Sequence, residues 1–298
     1  MENIARLSAD STQDSDLPGR RAQVWDILKN TMRNPLVFSG VVIVVIWILI
    51  AILADVLAPF EPLQQDLVMR LSPPNEVHRM GTDELGRDIF SRVLYGGRIT
   101  MTAGFAVISI GSILGTVVGA LAGYLGGLWD ELLMRITELF FAFPTIILAL
   151  AVTAALGPDI RNAVLALVVV WWPTYARLVR GLVLEVKSRE YVEAARAIGA
   201  SGPYILFRTI LPNVVAPAIV LATLDIGNAI LTFAGLSFLG LGAEPSSPEW
   251  GRMVAISIDF FDQWWMWLFP GLAIAILVMA LNFVGDGLRD LADPRMRR

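Results

Sequence analysis

The chain has 298 residues, of which 56% are hydrophobic and only 17% charged, whereas a soluble domain carries about a quarter charged residues, so the composition indicates a membrane protein. The net charge of −4 gives no electrostatic footprint for nucleic-acid binding. Cysteine is absent and there is one histidine, which excludes disulfides, thiol catalysis and metal sites built from clusters of these residues.

Residues 1–35 form a mixed-charge tail, which we expect to be cytosolic and to contain a short amphipathic helix at Ala22–Met32. Asn34-Pro35 then redirects the backbone before the first long uncharged run, and we predict the first transmembrane helix over residues 36–57. This run begins too late and is too long for a cleavable signal peptide, so we expect it to be retained.

Long uncharged runs predict the membrane spans, because about 20 apolar residues cross a bilayer core as a helix. Four runs have 19 or more residues: Leu36–Ala54, Thr100–Gly123, Leu139–Gly157 and Gln263–Gly285. A shorter run, Asn162–Ala176, is followed by arginines that can extend to the interface. A longer run, Leu211–Leu241, is interrupted only by Asp225, and here we predict a span to about Phe233. The sequence therefore predicts an all-α integral membrane protein with six transmembrane helices.

The basic residues predict the orientation of these spans. If the N-terminus is cytosolic, the cytosolic segments contain 16 of the 23 lysines and arginines, in agreement with the positive-inside tendency. Six spans then return residues 289–298 to the cytosol, so we expect both termini to be inside.

Residues 58–99, between the first two spans, are expected to form an extracytoplasmic loop with a helix at Glu84–Tyr95. We interpret its charged residues as a local salt-bridge cluster in preference to a contact with another protein; they are Asp83, Glu84, Arg87 and Asp88. The single histidine, His78, is not expected to bind a metal. Four tryptophans are predicted to form an aromatic belt at the outer boundary: Trp250, Trp264, Trp265 and Trp267.

The loop at residues 188–212, between the fourth and fifth spans, is the most informative segment for function. Its later part, Glu193–Pro212, reads EAARAIGASGPYILFRTILP, and its small residues leave room for the backbone of another protein to approach. The pattern alone leaves two alternatives open, a docking surface for another protein and an amphipathic helix that rests on the membrane.

We predict two short helices in this loop. Ser188 is the expected N-cap of the first helix, and Gly199 is expected to end it in the left-handed conformation. The apolar face of this helix is predicted to consist of Tyr191, Ala195 and Ile198. The second helix is predicted to begin at Tyr204, after the break at Gly202-Pro203.

The same residues resemble the coupling motif of the permease subunits of ABC importers. The resemblance rests on Glu193, Ala194, Ala195, Gly199, Leu211 and Pro212. Thr209 departs mildly from the family pattern, which prefers an aliphatic residue there. Three further segments resemble the C-type permease of the dipeptide and oligopeptide importers: Gly81–Thr100, Leu236–Gly251 and Phe269–Arg295. The resemblance covers nearly the whole chain from Pro35 onward.

The resemblance implies the type I importer permease architecture, with a permease core over residues 100–288 in a bacterial inner membrane. The implied partners are a B-type permease that forms the other half of the translocation path, two cytosolic ATPase subunits, and an extracytoplasmic solute-binding protein that delivers a dipeptide or short oligopeptide. The six residues of the coupling motif would transmit the motion of the ATPases to the membrane helices. Within the peptide importers, Pro245–Ala255 and Asp262–Trp265 are most similar to dipeptide-type members, including those for D,D-dipeptides, and the stereochemistry of the peptide stays open.

Three residues inside the predicted spans are candidates for the translocation path. Asp225 lies near the middle of the fifth span, where an ionised acid costs roughly 2.5–3.5 kcal/mol on insertion scales. It either contacts the amino group of the peptide or faces the partner permease or a water-filled gap, and we favour the second alternative. Trp171 and Trp172 either line the path or, as we favour, contribute packing.

The chain itself is not expected to be an enzyme. A nucleotide-binding P-loop requires the pattern G-x-x-x-x-G-K-[ST], and the nearest segment, Gly181–Ser188, has Val186 in place of the second glycine. We therefore expect no nucleotide site, cofactor or metal in this chain, with ATP and Mg²⁺ bound by the partner ATPases. An intramembrane hydrolase would need a nucleophile–base pair or clustered carboxylates in the bilayer, and only Asp225 lies deep there. A self-contained channel remains an alternative that a single sequence leaves open.

Overall fold

The structure is a computed structural model that describes residues 34–292, so the predicted amphipathic helix Ala22–Met32 and the last six residues lie outside it. The described chain is helical, with an isolated bridge between Thr82 and Asp88 as its one piece of β-structure. The α-helices are α1 (Pro35–Leu57), α2 (Ile89–Leu125), α3 (Gly127–Phe141), α4 (Thr145–Leu156), α5 (Ile160–Lys187), α6 (Glu190–Ala197), α7 (Leu211–Phe238), α8 (Trp250–Ser257) and α9 (Trp264–Ala292).

Five of these helices, α1, α2, α5, α7 and α9, are long and apolar enough to cross a membrane. α3 and α4 meet this criterion only together, and they are bent by 89° at the break between them. The six predicted spans therefore correspond to five continuous helices and one bent pair.

The span predicted over Leu139–Gly157 is not one continuous helix. α3 ends at Phe141 and α4 restarts at Thr145, because Pro144 has no backbone N–H to donate and disfavours the helical conformation in the residue before it. α4 has 12 residues, about 18 Å of helix, which is too short for the roughly 30 Å of a bilayer core. α3 must therefore contribute to any crossing at this place.

α2 begins later and runs further than the sequence indicated. The predicted helix at Glu84–Tyr95 is wrong in its first half, because Gly81 and Gly86 have positive φ angles and the chain between them forms a turn. Asp88 then caps the helix by accepting a hydrogen bond from the Ser91 backbone N–H at 2.7 Å. From Ile89 the helix continues for 37 residues without a break.

The fifth span also extends beyond its predicted end near Phe233, since α7 continues to Phe238. The helix ends where Gly240 adopts a φ of 82°. The backbone N–H of Gly240 donates to the carbonyl of Ser237, and the backbone N–H of Leu241 donates to the carbonyl of Leu236. This pair of bonds is a Schellman motif, which satisfies carbonyls that the helix end would otherwise leave unpaired.

α2 and α5 form the most extensive helix–helix contact of the described chain. The face of α2 that meets α5 has a glycine at every fourth position, at residues 111, 115, 119 and 123. A methyl group added at Gly115 would clash with the carbonyl oxygen of Trp172, and one added at Gly119 with that of Ala176. Small residues at this spacing allow two membrane helices to touch along their backbones.

The buried side chains form three clusters along the bundle. The first, around Trp250 and Leu277, joins α2, α8 and α9. The second, around Leu167 and Phe233, joins α2, α4, α5 and α7. The third, which we call the loop-side cluster, surrounds Val183, Val192 and Ile210. It connects α2, α5 and α7 to the loop between the fourth and fifth predicted spans.

We predict that Gly119→Ala destabilises the chain by about 1–3 kcal/mol, because the added methyl group must push apart two packed backbones. Gly181→Ala is the matched control, since Gly181 lies on α5 with no atom within 4 Å of the modified position. This control is expected to be neutral or to gain up to about 1 kcal/mol in helix propensity. Thermal unfolding of the purified chain in detergent measures both. Equal unfolding temperatures for the two variants would contradict the close α2–α5 contact.

Candidate functional site at the loop between α5 and α7

The loop starts where α5 ends at Lys187 and α6 begins three residues later. The predicted cap at Ser188 is wrong: Arg189 is the N-cap residue and makes no side-chain cap hydrogen bond. The Ser188 hydroxyl instead donates to the Glu185 carbonyl at 2.8 Å, so Ser188 ends α5. Acids in the first turn of α6 and Arg196 in its last turn suit the helix dipole.

The end of α6 is fixed by a Schellman motif. Gly199 has a φ of +81°, as predicted, and its N–H bonds the carbonyl of Arg196 at 2.9 Å. The N–H of Ala200 bonds the carbonyl of Ala195 at 3.1 Å. No atom lies within 4 Å of the position that a Cβ on Gly199 would occupy. Glycine is therefore favoured at position 199 because of the positive φ angle and not because of crowding. The space outside Gly199 is open.

The predicted apolar face of α6 is only partly correct. Val192 is the fully buried residue of this helix and enters the loop-side cluster, against which Ala195 also packs. Tyr191 is 48% exposed and Ile198 is 86% exposed. The short helix is held by its Val192 side, and the two large apolar side chains of the predicted face lie on the surface.

The outward surface of α6 therefore combines large and small side chains. Glu193 and Ala194 are exposed, next to the exposed Tyr191 and Ile198. The alanine and the open glycine at position 199 leave the helix backbone accessible. This surface has the composition expected of a docking site, in which apolar anchors surround a point of close backbone approach.

Two side chains tie the loop to the end of α2. The Tyr124 hydroxyl donates to the Gly202 carbonyl at 2.8 Å. The ammonium of Lys187 lies 2.7 Å from the carbonyl oxygen of Tyr124 and 3.4 Å from that of Gly123. These are carbonyls of the last turn of α2, which have no partner within the helix, and a lysine satisfies them and complements the helix dipole.

α3, which follows α2, is attached to α5 in the same region. Arg180 donates two hydrogen bonds to the carboxylate of Asp130, at 3.0 and 2.6 Å, so the pair is bidentate. Arg177 lies over the ring of Phe141, with 3.9 Å between the guanidinium carbon and the ring centroid. α2, α3 and α5 thus form one connected body beneath the loop.

The second part of the loop is continuous with α7. A helical turn at Gly202–Tyr204 leads into a π-helix at Ile205–Ile210 and then directly into α7. The wider π-type turn has a physical cause in Pro212, which cannot donate a hydrogen bond and crowds the carbonyl four residues earlier. The N–H of Leu211 accordingly bonds the carbonyl of Leu206. Leu211 and Pro212 are therefore the junction between loop and span.

The three candidate path residues lie at two different places. Asp225, on α7, is half-buried and accepts a hydrogen bond from the Tyr175 hydroxyl of α5 at 2.9 Å. Trp171 is half-buried beside the same carboxylate. Trp172 is buried instead against Phe140 of α3, with ring centroids 5.2 Å apart. The structure brings Asp225 and Trp171 together and gives Trp172 a packing role.

The predicted salt-bridge cluster in the loop between α1 and α2 is confirmed. Arg87 contacts Asp83 and Glu84, each at 2.6 Å, while Asp88 lies 2.9 Å from His78. Burial raises the pKa of Glu84, and the neighbouring Asp83 raises it further. These residues hold this loop in shape, with their charges directed at one another.

The prediction of an aromatic belt is only partly correct. Trp264 is 46% exposed, whereas Trp250 is fully buried and Trp265 is 8% exposed. The indole N–H of Trp250 donates to the Val93 carbonyl at 2.9 Å, and that of Trp265 donates to the Thr82 carbonyl at 3.1 Å. Both are core residues that join α2 and the loop between α1 and α2 to α8 and α9.

The sequence did not predict the burial and structural roles of two charged residues. Arg92 is 1% exposed and donates to the carbonyls of Pro62, Ser246 and Ser247. Glu249 is fully buried and caps α8 by accepting from two backbone N–H groups at 3.0 and 2.8 Å. Glutamate is not among the usual capping residues, and the segment gives no other local signal for this role.

Comparison with known proteins identifies two family profiles. The profile "binding-protein-dependent transport system inner membrane component" matches residues 115–298. The profile "N-terminal TM domain of oligopeptide transport permease C" matches residues 23–74.

Several curated relatives are similar over most of their length. The probable D,D-dipeptide transport system permease protein DdpC of Escherichia coli is 45% identical over 88% of each chain. The dipeptide transport system permease protein DppC of Alkalihalophilus pseudofirmus is 43% identical over 91% of this chain and 90% of its own. Among solved structures, an inward-facing form of the MetNI methionine ABC transporter has a TM-score of 0.56. It covers 68% of this chain and 97% of its own at 22% identity, a likeness in fold alone.

We predict that Tyr124→Phe loosens the loop without unfolding the bundle, because it removes the hydroxyl that bonds the Gly202 carbonyl. A single hydrogen bond contributes about 1 kcal/mol, so amide hydrogen exchange of residues 198–206 should accelerate about fivefold. Tyr191→Phe is the matched control, since the Tyr191 hydroxyl makes no hydrogen bond within the described chain. Mass spectrometry of exchanged peptides measures both variants, and unchanged exchange in Tyr124→Phe would argue against this anchor.

Proposed function

The chain belongs to the family of binding-protein-dependent transport system inner membrane components, and from this premise we propose that it is one permease subunit of an ATP-driven importer of dipeptides or short oligopeptides. Relatives named as dipeptide, D,D-dipeptide and glutathione permeases, at 43–45% identity, support the peptide class. They differ in substrate among themselves, so they favour no single peptide.

The observation that carries the proposal is the outward surface of α6. It exposes Glu193, Ala194 and the open Gly199, and it is attached to both neighbouring spans. α5 leads directly into it, and the π-helix leads directly out of it through Leu211 and Pro212 into α7. A force applied to this surface therefore acts on two membrane helices at once.

The partner on this surface is a cytosolic ATPase. The positive-inside distribution of basic residues favours a cytosolic loop, and the chain has no P-loop sequence of its own. In the proposed assembly two ATPase subunits bind ATP and Mg²⁺, and one of them receives α6. ATP then biases the population of two arrangements of the membrane helices.

The translocation path is completed by a second, B-type permease, and an extracytoplasmic solute-binding protein delivers the peptide. Asp225 and Trp171 are proposed to line this path, with Trp172 supporting its wall from the side of α3. The proposed regions are a cytosolic tail at 1–35, a first span at 36–57, an extracytoplasmic loop at 58–99, a permease core at 100–288 with its coupling loop at 188–212, and a cytosolic tail at 289–298.

Reconstitution tests this function. The chain is assembled with its partner permease and ATPases in proteoliposomes, with the binding protein on the opposite side to ATP. We expect ATP hydrolysis to rise on addition of binding protein and L-alanyl-L-alanine, and to stay at its basal rate when either is omitted. Isolation of the chain as an active transporter without any ATPase would overturn the proposal.

We predict that Gly199→Asp abolishes peptide uptake while the affinity of the binding protein for peptide is unchanged. The variant should fold, because the site is open and aspartate tolerates positive φ better than most residues. The new charge, however, would have to be desolvated where the ATPase docks.

Gly199→Asn is the matched control, since asparagine has the same shape and tolerates the same backbone conformation without the charge. We expect it to retain more uptake than Gly199→Asp in the same vesicles. Wild-type uptake by Gly199→Asp would show that α6 is an unpartnered surface helix.

A further inference from the structure

We propose that four side chains of α5 and α7 form a recognition site for the α-amino group of the transported peptide. The four are Trp171 and Tyr175 on α5, and Asp225 and Asn228 on α7. The proposal rests on the proposed function as a peptide permease, and it assigns to this chain a direct part in substrate selection.

The geometry brings the four side chains to one place. Trp171 and Tyr175 are four residues apart on one helix, and Asp225 and Asn228 are three apart on the other, so each pair shares a helix face. The Tyr175 hydroxyl donates to Oδ2 of Asp225 at 2.9 Å. The side chains of Trp171 and Asn228 lie beside the same carboxylate. A carboxylate is thus bordered by two aromatic rings and one amide.

The carboxylate has no cationic partner in the described chain. The ion pairs found there join other residues, and no lysine, arginine or histidine nitrogen of residues 34–290 lies within 4.0 Å of Asp225. An acid inside a membrane bundle is costly and normally faces a partner charge or a water-filled cavity. Asp225 has its hydrogen-bond donor but lacks its counter-charge.

The site is closed on one side and open on the other. Tyr175 is fully buried, Asp225 is half-buried and Asn228 is exposed. Thr232 continues the polar face of α7 one turn further, where its hydroxyl donates to the Asn228 carbonyl at 2.7 Å. Placing polar side chains against lipid tails is energetically unfavourable. This stripe therefore fits the wall of an aqueous path between two permease subunits.

A primary ammonium group fits the chemistry of the site. It offers three donors, which match the remaining carboxylate lone pairs and the amide oxygen of Asn228. Aromatic rings attract an ammonium through their negatively charged faces. A peptide with a free N-terminus brings such a group to the path, whereas an N-acetylated peptide does not.

Ligand-observed NMR tests the proposal directly. The full complex of this chain with its partner permease and ATPases is placed in nanodiscs without the binding protein, so that selection by that protein does not enter. Saturation-transfer difference signals are recorded for L-alanyl-L-alanine and for its N-acetyl derivative. We expect the free dipeptide to bind about tenfold more tightly than the acetylated one, as a charge-assisted contact predicts. Equal binding of both, or no binding of either, would overturn the proposal.

Asp225→Asn removes the charge and keeps the shape, and it should lower the discrimination between the two peptides toward unity. Asp259→Asn changes an exposed acid outside the site and should leave the discrimination unchanged. If Asp225→Asn weakens assembly of the two permeases but discrimination persists, then Asp225 pairs with a cation of the partner permease, and the proposal fails.

A failure of the amino-group site can be distinguished from a failure of the proposed function. ATP hydrolysis stimulated by binding protein and peptide reports on the importer as a whole, and its absence with every L,L- and D,D-dipeptide tested would contradict the function itself. Stimulated hydrolysis by a wild-type complex that does not discriminate the two peptides in nanodiscs would contradict the amino-group site alone.

Discussion

The backbone contact between α2 and α5 is the constraint on which the rest of the structure depends. Glycines at every fourth position of α2 allow its backbone to touch that of α5. This contact sets the end of α2 next to the end of α5, where Lys187 satisfies the last carbonyls of α2 and Tyr124 bonds the loop. Without the close approach neither side chain would reach its partner, and the loop would lose both of these hydrogen-bonded links to α2.

The loop gains its function from this attachment. Val192 inserts into the loop-side cluster, the Schellman motif at Gly199 fixes the end of α6, and the π-helix leads into α7 without a hinge of flexible residues. The exposed surface of α6 is therefore rigid relative to α2 and α5. In the proposed importer this rigidity converts movement of an ATPase into movement of the helices that carry Trp171 and Asp225.

The sequence predicted the number of spans, the loop, the left-handed Gly199 and the external salt-bridge cluster, since each has a local signal in composition or turn chemistry. It did not predict which side of α6 is buried, because in a helix of eight residues tertiary packing decides between Val192 and Ile198. A proline such as Pro144 is expected to bend a helix, but the 89° angle at the break is not readable from an uncharged run, which looks apolar whether it is straight or broken. Trp250 and Trp265 were assigned to a membrane boundary because an isolated sequence does not reveal the distant carbonyls of Val93 and Thr82 that bond their indoles.

We propose that the loop carrying α6 moves as one body with α2 when the importer changes state. Because this chain has no cysteine, cysteines introduced at Ser201 of the loop and at Ile113, which is exposed on α2, can be spin-labelled on the purified chain before assembly without background labelling of this chain. Double electron–electron resonance on the assembled complex then measures the distance between the two labels, without nucleotide and with bound ATP. We expect one narrow distance that is the same in both states. A distance that shifts or broadens on ATP binding would show that the loop swings on the bundle, and would contradict this proposal.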